Sequence, residues 1–125
     1  MFKRREFECK IVRDIILIND SSRIRNVSIS DIVLLKTIKC YTSLQISISE
    51  DFLTSDTLTS FEERLPSSFF RVSRNVIVNM DYVEMIQKKN SRHFVKLKMG
   101  ETVEISRRRV KGFVECFQKF LCDSY

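Results

Sequence analysis

The chain has 125 residues, of which 43% are hydrophobic and 30% charged, a composition typical of one soluble globular domain. No apolar run approaches the roughly 20 residues that span a bilayer, and charges interrupt the apolar positions of the N-terminus, which argues against a membrane anchor and a secretory signal. The protein is therefore expected to be cytoplasmic. Residues 1–65 carry 10 Lys or Arg against 10 Asp or Glu, whereas residues 66–125 carry 12 against 6, so the net charge of +6 lies in the second half. This excess of positive charge favours a polyanion as the binding partner.

Metal and disulfide chemistry find little support in the sequence. The four cysteines form no C-x-x-C pair and there is a single histidine, His93, so we expect reduced thiols, no metal site and no cofactor. Cys116 lies in an apolar helical pattern and is expected to be buried. The other cysteines are Cys9, Cys40 and Cys122.

The first half of the chain predicts strands and hairpins. Residues 1–13 are expected to be an N-terminal arm or an extra strand, and residues 14–125 the main domain. Residues 15–19 form an apolar run that a turn at residues 19–22 joins to a second arm carrying Ile24, Val27 and Ile29. Residues 32–35 are apolar enough for a strand buried on both faces.

A second hairpin is predicted at residues 36–49, with its turn at residues 39–43. Leu44, Ile46 and Ile48 would point to one side, and the polar residues Gln45, Ser47 and Ser49 to the other.

Residues 54–66 change to a helical period. Leu58, Phe61 and Leu65 recur at intervals of three and four, Ser55 or Asp56 could cap the N-terminus, and Pro66 ends the helix. Glu62 and Glu63 are interpreted as a solvated face, since no histidine or nucleophile is near them in the sequence to make an acid/base pair.

Residues 69–79 predict one half-buried strand with two chemically different sides. Its even-numbered valines face a core, and its odd-numbered residues form a polar side that could bond phosphate oxygens and base edges. Phe69 and Phe70 are expected in the core, and Asn79 is expected to close a turn by bonding local backbone. The valines are Val72, Val76 and Val78, and the polar residues are Arg71, Ser73, Asn75 and Asn79.

A meander and a helix complete the chain. Strands are predicted at residues 82–86, with Val83 and Met85 inward, at residues 93–99, and at residues 102–105, with turns at residues 88–92 and 100–101. Ser106 occupies an N-cap position before a helix. Its apolar stripe comprises Val110, Phe113, Val114, Phe117, Phe120 and Leu121.

Arg107, Arg108 and Arg109 follow that cap at the positive end of the helix dipole, where each cation loses roughly 0.3–1 kcal/mol relative to an acid. Stability alone does not favour them there. A bound phosphate would, because backbone N–H groups and guanidinium forks would converge on it. A solvated basic turn is the simpler alternative.

Five short motifs in this order resemble the LytTR (LytR/AlgR-type) DNA-binding domain of bacterial response regulators. They are DIVLL at residues 31–35, FEERL at residues 61–65, FFRVSRNVIVN at residues 69–79, MGE at residues 99–101 and ISR at residues 105–107. Together they cover about residues 14–122. The resemblance implies a mainly β, elongated fold of small antiparallel sheets, with one short internal helix and a C-terminal helix.

The resemblance also implies that loops at residues 40–43, 73–75 and 107–109 enter successive major grooves of double-stranded DNA. Arg74 and Arg108 are then expected at base edges, and Arg71, Arg107, Arg109 and Lys111 at phosphates. Where many relatives carry an H-R-S pattern this chain has Ser73-Arg74-Asn75, so its sequence preference is expected to differ. The full predicted contact set is Tyr41, Thr42, Ser43, Arg71, Ser73, Arg74, Asn75, Ser106, Arg107, Arg108, Arg109 and Lys111.

The sequence thus predicts a sequence-specific transcriptional regulator that acts on paired half-sites, with weak homodimerisation, and no enzyme. Family members usually carry a receiver domain or membrane segments, and residues 1–13 are too short for either, so a stand-alone regulator or an excised domain is expected. The alternative is a protein-interaction module whose basic face binds an acidic partner. RNA is disfavoured, because the basic stretches lack interleaved aromatic residues.

Overall fold

The computed structural model describes residues 8–19, 24–47 and 50–123. The first of its antiparallel sheets has the order β1-β2-β3 and consists of β1 (Glu8–Val12), β2 (Ile15–Asn19) and β3 (Ile24–Ser28). The second has the order β6-β5-β4-β8-β7 and consists of β4 (Leu34–Ile38), β5 (Tyr41–Ser47), β6 (Glu50–Thr54), β7 (Phe69–Ser73) and β8 (Val76–Asn79). The third has the order β11-β10-β9 and consists of β9 (Val83–Lys89), β10 (Arg92–Leu97) and β11 (Thr102–Ile105).

The helices connect or follow the strands of these sheets. Helix α1 (Leu58–Arg64) connects β6 to β7, and α2 (Val110–Asp123) follows β11. Short 3₁₀ turns occupy Ile29–Asp31, Met80–Tyr82 and Arg107–Arg109. The predicted fold class, a mainly β chain of small antiparallel sheets with a short internal helix and a C-terminal helix, is confirmed. Within the described ranges no helix is long and apolar enough to cross a membrane.

Two apolar clusters bury opposite faces of the five-stranded sheet. Leu34 and Leu35 are adjacent in β4 yet belong to different clusters, as do Ile77 and Val78 in β8, because successive side chains of a strand point to opposite faces. The first cluster includes Ile16, Ile18, Val27, Leu35, Leu44, Phe52, Leu58, Phe61 and Ile77. The second includes Leu34, Val72, Val78, Val83, Val95, Leu97, Ile105 and Phe113. Burial of each side chain of this size stabilises the folded state by about 1.5–3 kcal/mol. Because both clusters pack against this sheet, it is the centre of the core.

The stretch at residues 69–79 is a hairpin, and the predicted single strand is wrong. A β-bulge shifts the register between Arg71 and Ser73, so the even-numbered residues of both arms keep one face although a turn lies between them. The alternation of apolar and polar residues therefore continues through the turn, and the sequence pattern does not indicate it. The predicted apolar side is correct, since Val72, Val76 and Val78 all contact the second cluster.

The polar side of that hairpin is only partly polar. Ile77 is buried in the first cluster, and Asn79, predicted on the exposed side, has no exposed surface. Asn79 closes the following turn as predicted: its Oδ1 accepts from the Asp81 N–H at 3.0 Å, and its Nδ2 donates to the Ile32 carbonyl at 2.8 Å.

The internal helix is shorter than predicted and begins later. Thr54 ends β6, which pairs with β5 as an edge strand, and its side chain is fully buried. The cap is Thr57, whose hydroxyl accepts from the Ser60 N–H at 3.1 Å, so the predicted caps Ser55 and Asp56 are wrong. Thr54, at the start of the segment with helical period, lies in a strand because it pairs with β5. Thr54 pairs with Thr42, which lies outside the segment whose helical period was read, so the local periodicity of residues 54–66 does not register this pairing.

Several boundaries and orientations also differ. The strand predicted at residues 32–35 begins at Leu34 and runs to Ile38, although the predicted burial is correct. Met85 and Leu121, predicted inward, are 40% and 43% exposed, because β9 is an edge strand and Leu121 lies near the end of α2. Cys116 is half-buried where full burial was predicted. Ile48, Ser49 and most of the predicted turn at residues 19–22 lie outside the described residues.

We predict that Asn79→Ala destabilises the protein by about 1–3 kcal/mol, because it leaves a buried carbonyl and a turn N–H without their partner. Denaturant unfolding measures the change. The matched control is Asn26→Ala at an exposed position of β3, which should stay within about 0.5 kcal/mol of the unmodified chain. Equal losses for both variants would contradict the role assigned to Asn79.

Candidate nucleic-acid interface

Three loops meet at one end of the five-stranded sheet. Loop 1 (residues 39–40) joins β4 to β5, loop 2 (residues 74–75) joins β7 to β8, and loop 3 (residues 106–109) joins β11 to α2. Because β4 pairs with β8, the Thr37 N–H reaches the Asn75 carbonyl at 2.9 Å, which ties loop 2 to the strand before loop 1. The Ser106 N–H donates to the Val72 carbonyl at 2.8 Å and ties loop 3 to β7.

Loop 1 is a tight turn with a basic tip. Lys39 adopts φ of 55°, a left-handed conformation that a two-residue hairpin turn requires, and its side chain is exposed beside that of Cys40. The residues of this region that were predicted to contact DNA, Tyr41, Thr42 and Ser43, follow the turn and lie in β5. Thr42 and Ser43 are only 2% and 1% exposed, and their hydroxyls donate to the Asp56 carbonyl at 2.7 Å and to Asp51 Oδ2 at 3.2 Å. These two side chains therefore tie β5 to β6 and to the segment that follows β6.

Loop 2 presents Arg74 and Asn75 to solvent. The Asn75 N–H is held by Ser73 Oγ at 3.3 Å, and the Arg74 carbonyl accepts from Arg71 Nη2 at 2.7 Å. The backbone of loop 2 is thus fixed from both sides, while the Arg74 guanidinium is exposed.

Arg71 is turned into the protein. Its side chain is 13% exposed, and Nη1 donates to Thr59 Oγ1 and to Glu62 Oε1 of α1, each at 3.0 Å. Its Nε is buried and has no hydrogen-bond partner in the described part of the chain. The Arg71 carbonyl accepts from Arg109 Nη1 at 3.1 Å, which links loop 3 to the same strand.

Loop 3 carries the predicted arginine run in a 3₁₀ turn that leads into α2. Ser106 stands at the predicted cap position, but its side chain makes no capping bond; its carbonyl accepts from the Arg109 N–H at 2.8 Å instead. Arg107 and Arg108 are exposed, Arg109 is half-buried, and Lys111 is exposed in the first turn of α2.

Loops 2 and 3 border an open groove of about 610 Å³. Its lining consists of Arg71, Arg74, Ser106, Arg108 and Arg109. A neighbouring cleft of about 360 Å³ lies between loops 1 and 2, and Arg71 and Arg74 line both spaces. No acidic residue is among the described residues lining either space. The result is one continuous surface, here named the arginine groove, that offers guanidinium donors and no carboxylate.

A sequence profile of the LytTr DNA-binding domain matches residues 22–118, which is most of the chain. The chain belongs to the LytTr DNA-binding domain family. The predicted resemblance is therefore confirmed. This LytTr domain is 34% identical over 87 residues to the sensory transduction protein LytT of Bacillus anthracis and, equally, to that of Bacillus cereus. The match covers 68% of this chain and 35% of each relative, so the chain spans about a third of the length of these proteins.

A solved structure shares the fold. It is the LytTr DNA-binding domain of a Bacillus cereus protein described as a methyl-accepting/DNA response regulator. The TM-score is 0.73 with 21% sequence identity, and the superposition covers 84% of this chain and 97% of that one. At this identity the likeness concerns the fold alone.

The LytTr domain brings most of the predicted contact residues together. The lining of the arginine groove includes Tyr41, Thr42, Arg71, Arg74, Asn75, Ser106, Arg108 and Arg109, but not Ser43, Ser73, Arg107 or Lys111. Arg107 lines a separate cleft of about 250 Å³ with Arg92, His93 and Glu104. The hydrogen bond from Arg92 holds the pKa of Glu104 below its usual value, so this cleft carries a carboxylate at neutral pH. Thr42 lines the cleft beside loop 1 but is almost fully buried, as is Ser43, and both hydroxyls are hydrogen-bonded within the protein.

Sequence reasoning missed Lys39 and Thr59, which line the cleft beside loop 1. Lys39 was inside the predicted turn at residues 39–43, but the contact residues predicted there were Tyr41, Thr42 and Ser43. Thr59 lies on α1, far from the hairpin in sequence, and no local pattern connects them. Among the described residues no group of three or more His, Cys, Asp or Glu side chains could hold a metal ion.

The cysteines provide a test of these exposures. Burial raises the pKa of the Cys116 thiol, partly offset by Lys119, whereas Cys40 and Cys122 are exposed. Because the thiolate is the nucleophile, iodoacetamide at about pH 8 should alkylate Cys40 and Cys122 several-fold faster than Cys116. Peptide mapping by mass spectrometry measures each rate, and a Cys116 that reacts as fast as Cys122 would contradict its position against the core.

Proposed function

We propose that this LytTr domain binds double-stranded DNA with sequence preference and regulates transcription, with the arginine groove as its contact surface. The observation that carries the proposal is the lining of the space between loops 2 and 3, where β7 and the two loops contribute four arginines and a serine, with no carboxylate among them. A duplex target would place the protein in the cytoplasm of a bacterium. The relatives named as sensory transduction proteins support a role at the output of a signalling pathway. Stand-alone action stays a prediction.

The chemistry of the groove favours nucleic acid over an acidic protein. Guanidinium groups bond phosphate oxygens in pairs and also fit the O6 and N7 acceptors of guanine in the major groove, whereas a carboxylate-rich protein surface offers no base edges. Arg74 and Arg108 are exposed and free to extend, so we assign them to base edges. We assign the exposed cations Lys39, Arg107 and Lys111 to phosphates, together with the guanidinium atoms of Arg109 that do not bond Arg71. Tyr41, Asn75, Ser73 and Ser106 border these positions.

Paired half-sites and weak dimerisation complete the proposal. One copy of the domain presents a single arginine groove, so a second copy on the neighbouring helical turn would double the phosphate contacts without a large protein interface. The rival function is binding of an acidic protein by the same basic surface.

The first experiment is a selection from random duplex DNA by the purified protein, followed by a salt titration on the winning sequence. Recovery of a repeated motif, with half-sites about one helical turn apart and log affinity falling steeply with log salt, is the expected result. Recovery of nothing above background at low salt would reject DNA binding and favour the acidic-partner function.

We predict that Arg108→Ala weakens binding to the selected duplex by about 1–3 kcal/mol, or roughly 5- to 150-fold, and relaxes the preference at one base position. The matched control is Lys119→Ala, which removes the same charge from an exposed position of α2 that is not among the residues lining the groove. Its affinity should stay within about twofold of the unmodified protein. Equal losses for both variants would show that only net charge matters.

Cys40 gives a second test, because it lies in the cleft beside loop 1. The selected duplex should slow alkylation of Cys40 several-fold and leave that of Cys122, on the C-terminal helix, unchanged. Equal protection of both thiols would mean that the DNA covers another surface.

A further inference from the structure

We propose that Arg71 is a positioning residue, which holds the loops of the arginine groove in place while other arginines contact DNA. The inference deepens the proposed function and rests on it. Sequence reasoning assigned Arg71 to a phosphate, but its side chain is 13% exposed, and three of its N–H groups are donated to the protein itself. An arginine free to bind a phosphate would keep its fork in solvent.

The bonds of Arg71 connect three separate elements. On one side, Nη1 reaches Thr59 and Glu62, which are fixed in α1. On the other, Nη2 donates to the Arg74 carbonyl at 2.7 Å, the peptide that sets the direction of loop 2. A planar guanidinium can span the two partners because its donors diverge at fixed angles, whereas a lysine ammonium concentrates its donors at one point.

The backbone of the same residue serves loop 3. Its carbonyl accepts from Arg109 Nη1 at 3.1 Å, so the strand segment held by α1 also anchors the half-buried arginine of loop 3. Displacement of Arg71 would therefore loosen both walls of the groove. The exposed guanidinium of Arg74 would keep its charge, but its orientation would no longer be fixed by the loop backbone.

Removal of Glu62 distinguishes a positioning role of Arg71 from a phosphate contact, because the two roles predict opposite changes in DNA affinity. Removing an acid beside a DNA-binding surface normally strengthens binding, because it removes repulsion of phosphates. If Arg71 contacted a phosphate, loss of Glu62 would also release it for that contact. If Arg71 positions loop 2, loss of Glu62 removes the anchor and weakens binding despite the more favourable charge.

The test compares Glu62→Ala with Glu63→Ala, which removes the same charge from the next exposed position of α1. On the selected duplex, Glu63→Ala should bind as well as the unmodified protein or up to about threefold more tightly. Glu62→Ala should bind at least about threefold more weakly, and its ratio of selected to random duplex affinity should fall. If both variants bind more tightly to the same extent, Arg71 has no positioning role.

Arg71→Lys supplies a second comparison, because it keeps the charge and loses the fork. A positioning role predicts about the same affinity loss for Arg71→Lys as for Arg71→Ala, and a salt slope unchanged in both. Direct phosphate contact predicts instead that Arg71→Lys binds nearly normally and that Arg71→Ala lowers the slope by about one. Thermal unfolding of each variant identifies losses that come from a damaged fold.

Hydrogen exchange in the free protein separates this inference from the proposed function. The Thr37 N–H donates to the Asn75 carbonyl, so its exchange rate reports whether loop 2 stays docked. Exchange at Thr37 should be faster in Glu62→Ala and Arg71→Lys than in Glu63→Ala. Unchanged exchange in all three would overturn the positioning role, whereas failure of the unmodified protein to bind any duplex would overturn DNA binding whatever the exchange rates.

Discussion

Burial of the five-stranded sheet on both faces is the constraint on which the rest of this LytTr domain depends. Neighbouring residues such as Leu34 and Leu35 must enter different apolar clusters, so each face needs its own cover. The β1–β3 sheet and α1 supply the first cover, and the β9–β11 sheet and α2 supply the second. A chain of this length can bury two such layers only if its central strands are almost wholly apolar, as β4 and β8 are at their cores.

The position of the three loops follows from that arrangement. Antiparallel pairing of β4 with β8 brings the turns that follow one and precede the other to the same end of the sheet. The return of the chain from β11 along β7 brings the arginine run to that end as well, through the bond between Ser106 and Val72. Residues distant in sequence thereby form one basic surface on a rigid base, an arrangement typical of binding sites carried on loops.

The arginines of this surface are not equivalent, and the protein uses their different properties. Arg74 and Arg108 are exposed, whereas Arg71 donates hydrogen bonds to Thr59, Glu62 and a loop carbonyl. The Arg71–Glu62 pair lowers the repulsion between closely spaced cations and fixes the loop geometry at the same time. Preorganised loops bind with a smaller entropy cost than mobile ones, so in the proposed positioning role this half-exposed ion pair would serve recognition without touching the ligand.

The sequence by itself determined the class of the fold, the apolar side of residues 69–79, the β11 strand and the basic character of loops 2 and 3. These features depend on local alternation, helical spacing and charge, which are read within a window of about ten residues. The tertiary structure decided what such windows do not contain. Pairing of β6 with β5 converted Thr54 from helix to strand, and the bulge in β7 concealed a hairpin within one alternating pattern. Contact with α1 turned Arg71 inward, because only the folded chain brings Glu62 to its guanidinium. The sequence thus specifies which residues are basic, and long-range packing specifies which of them are exposed.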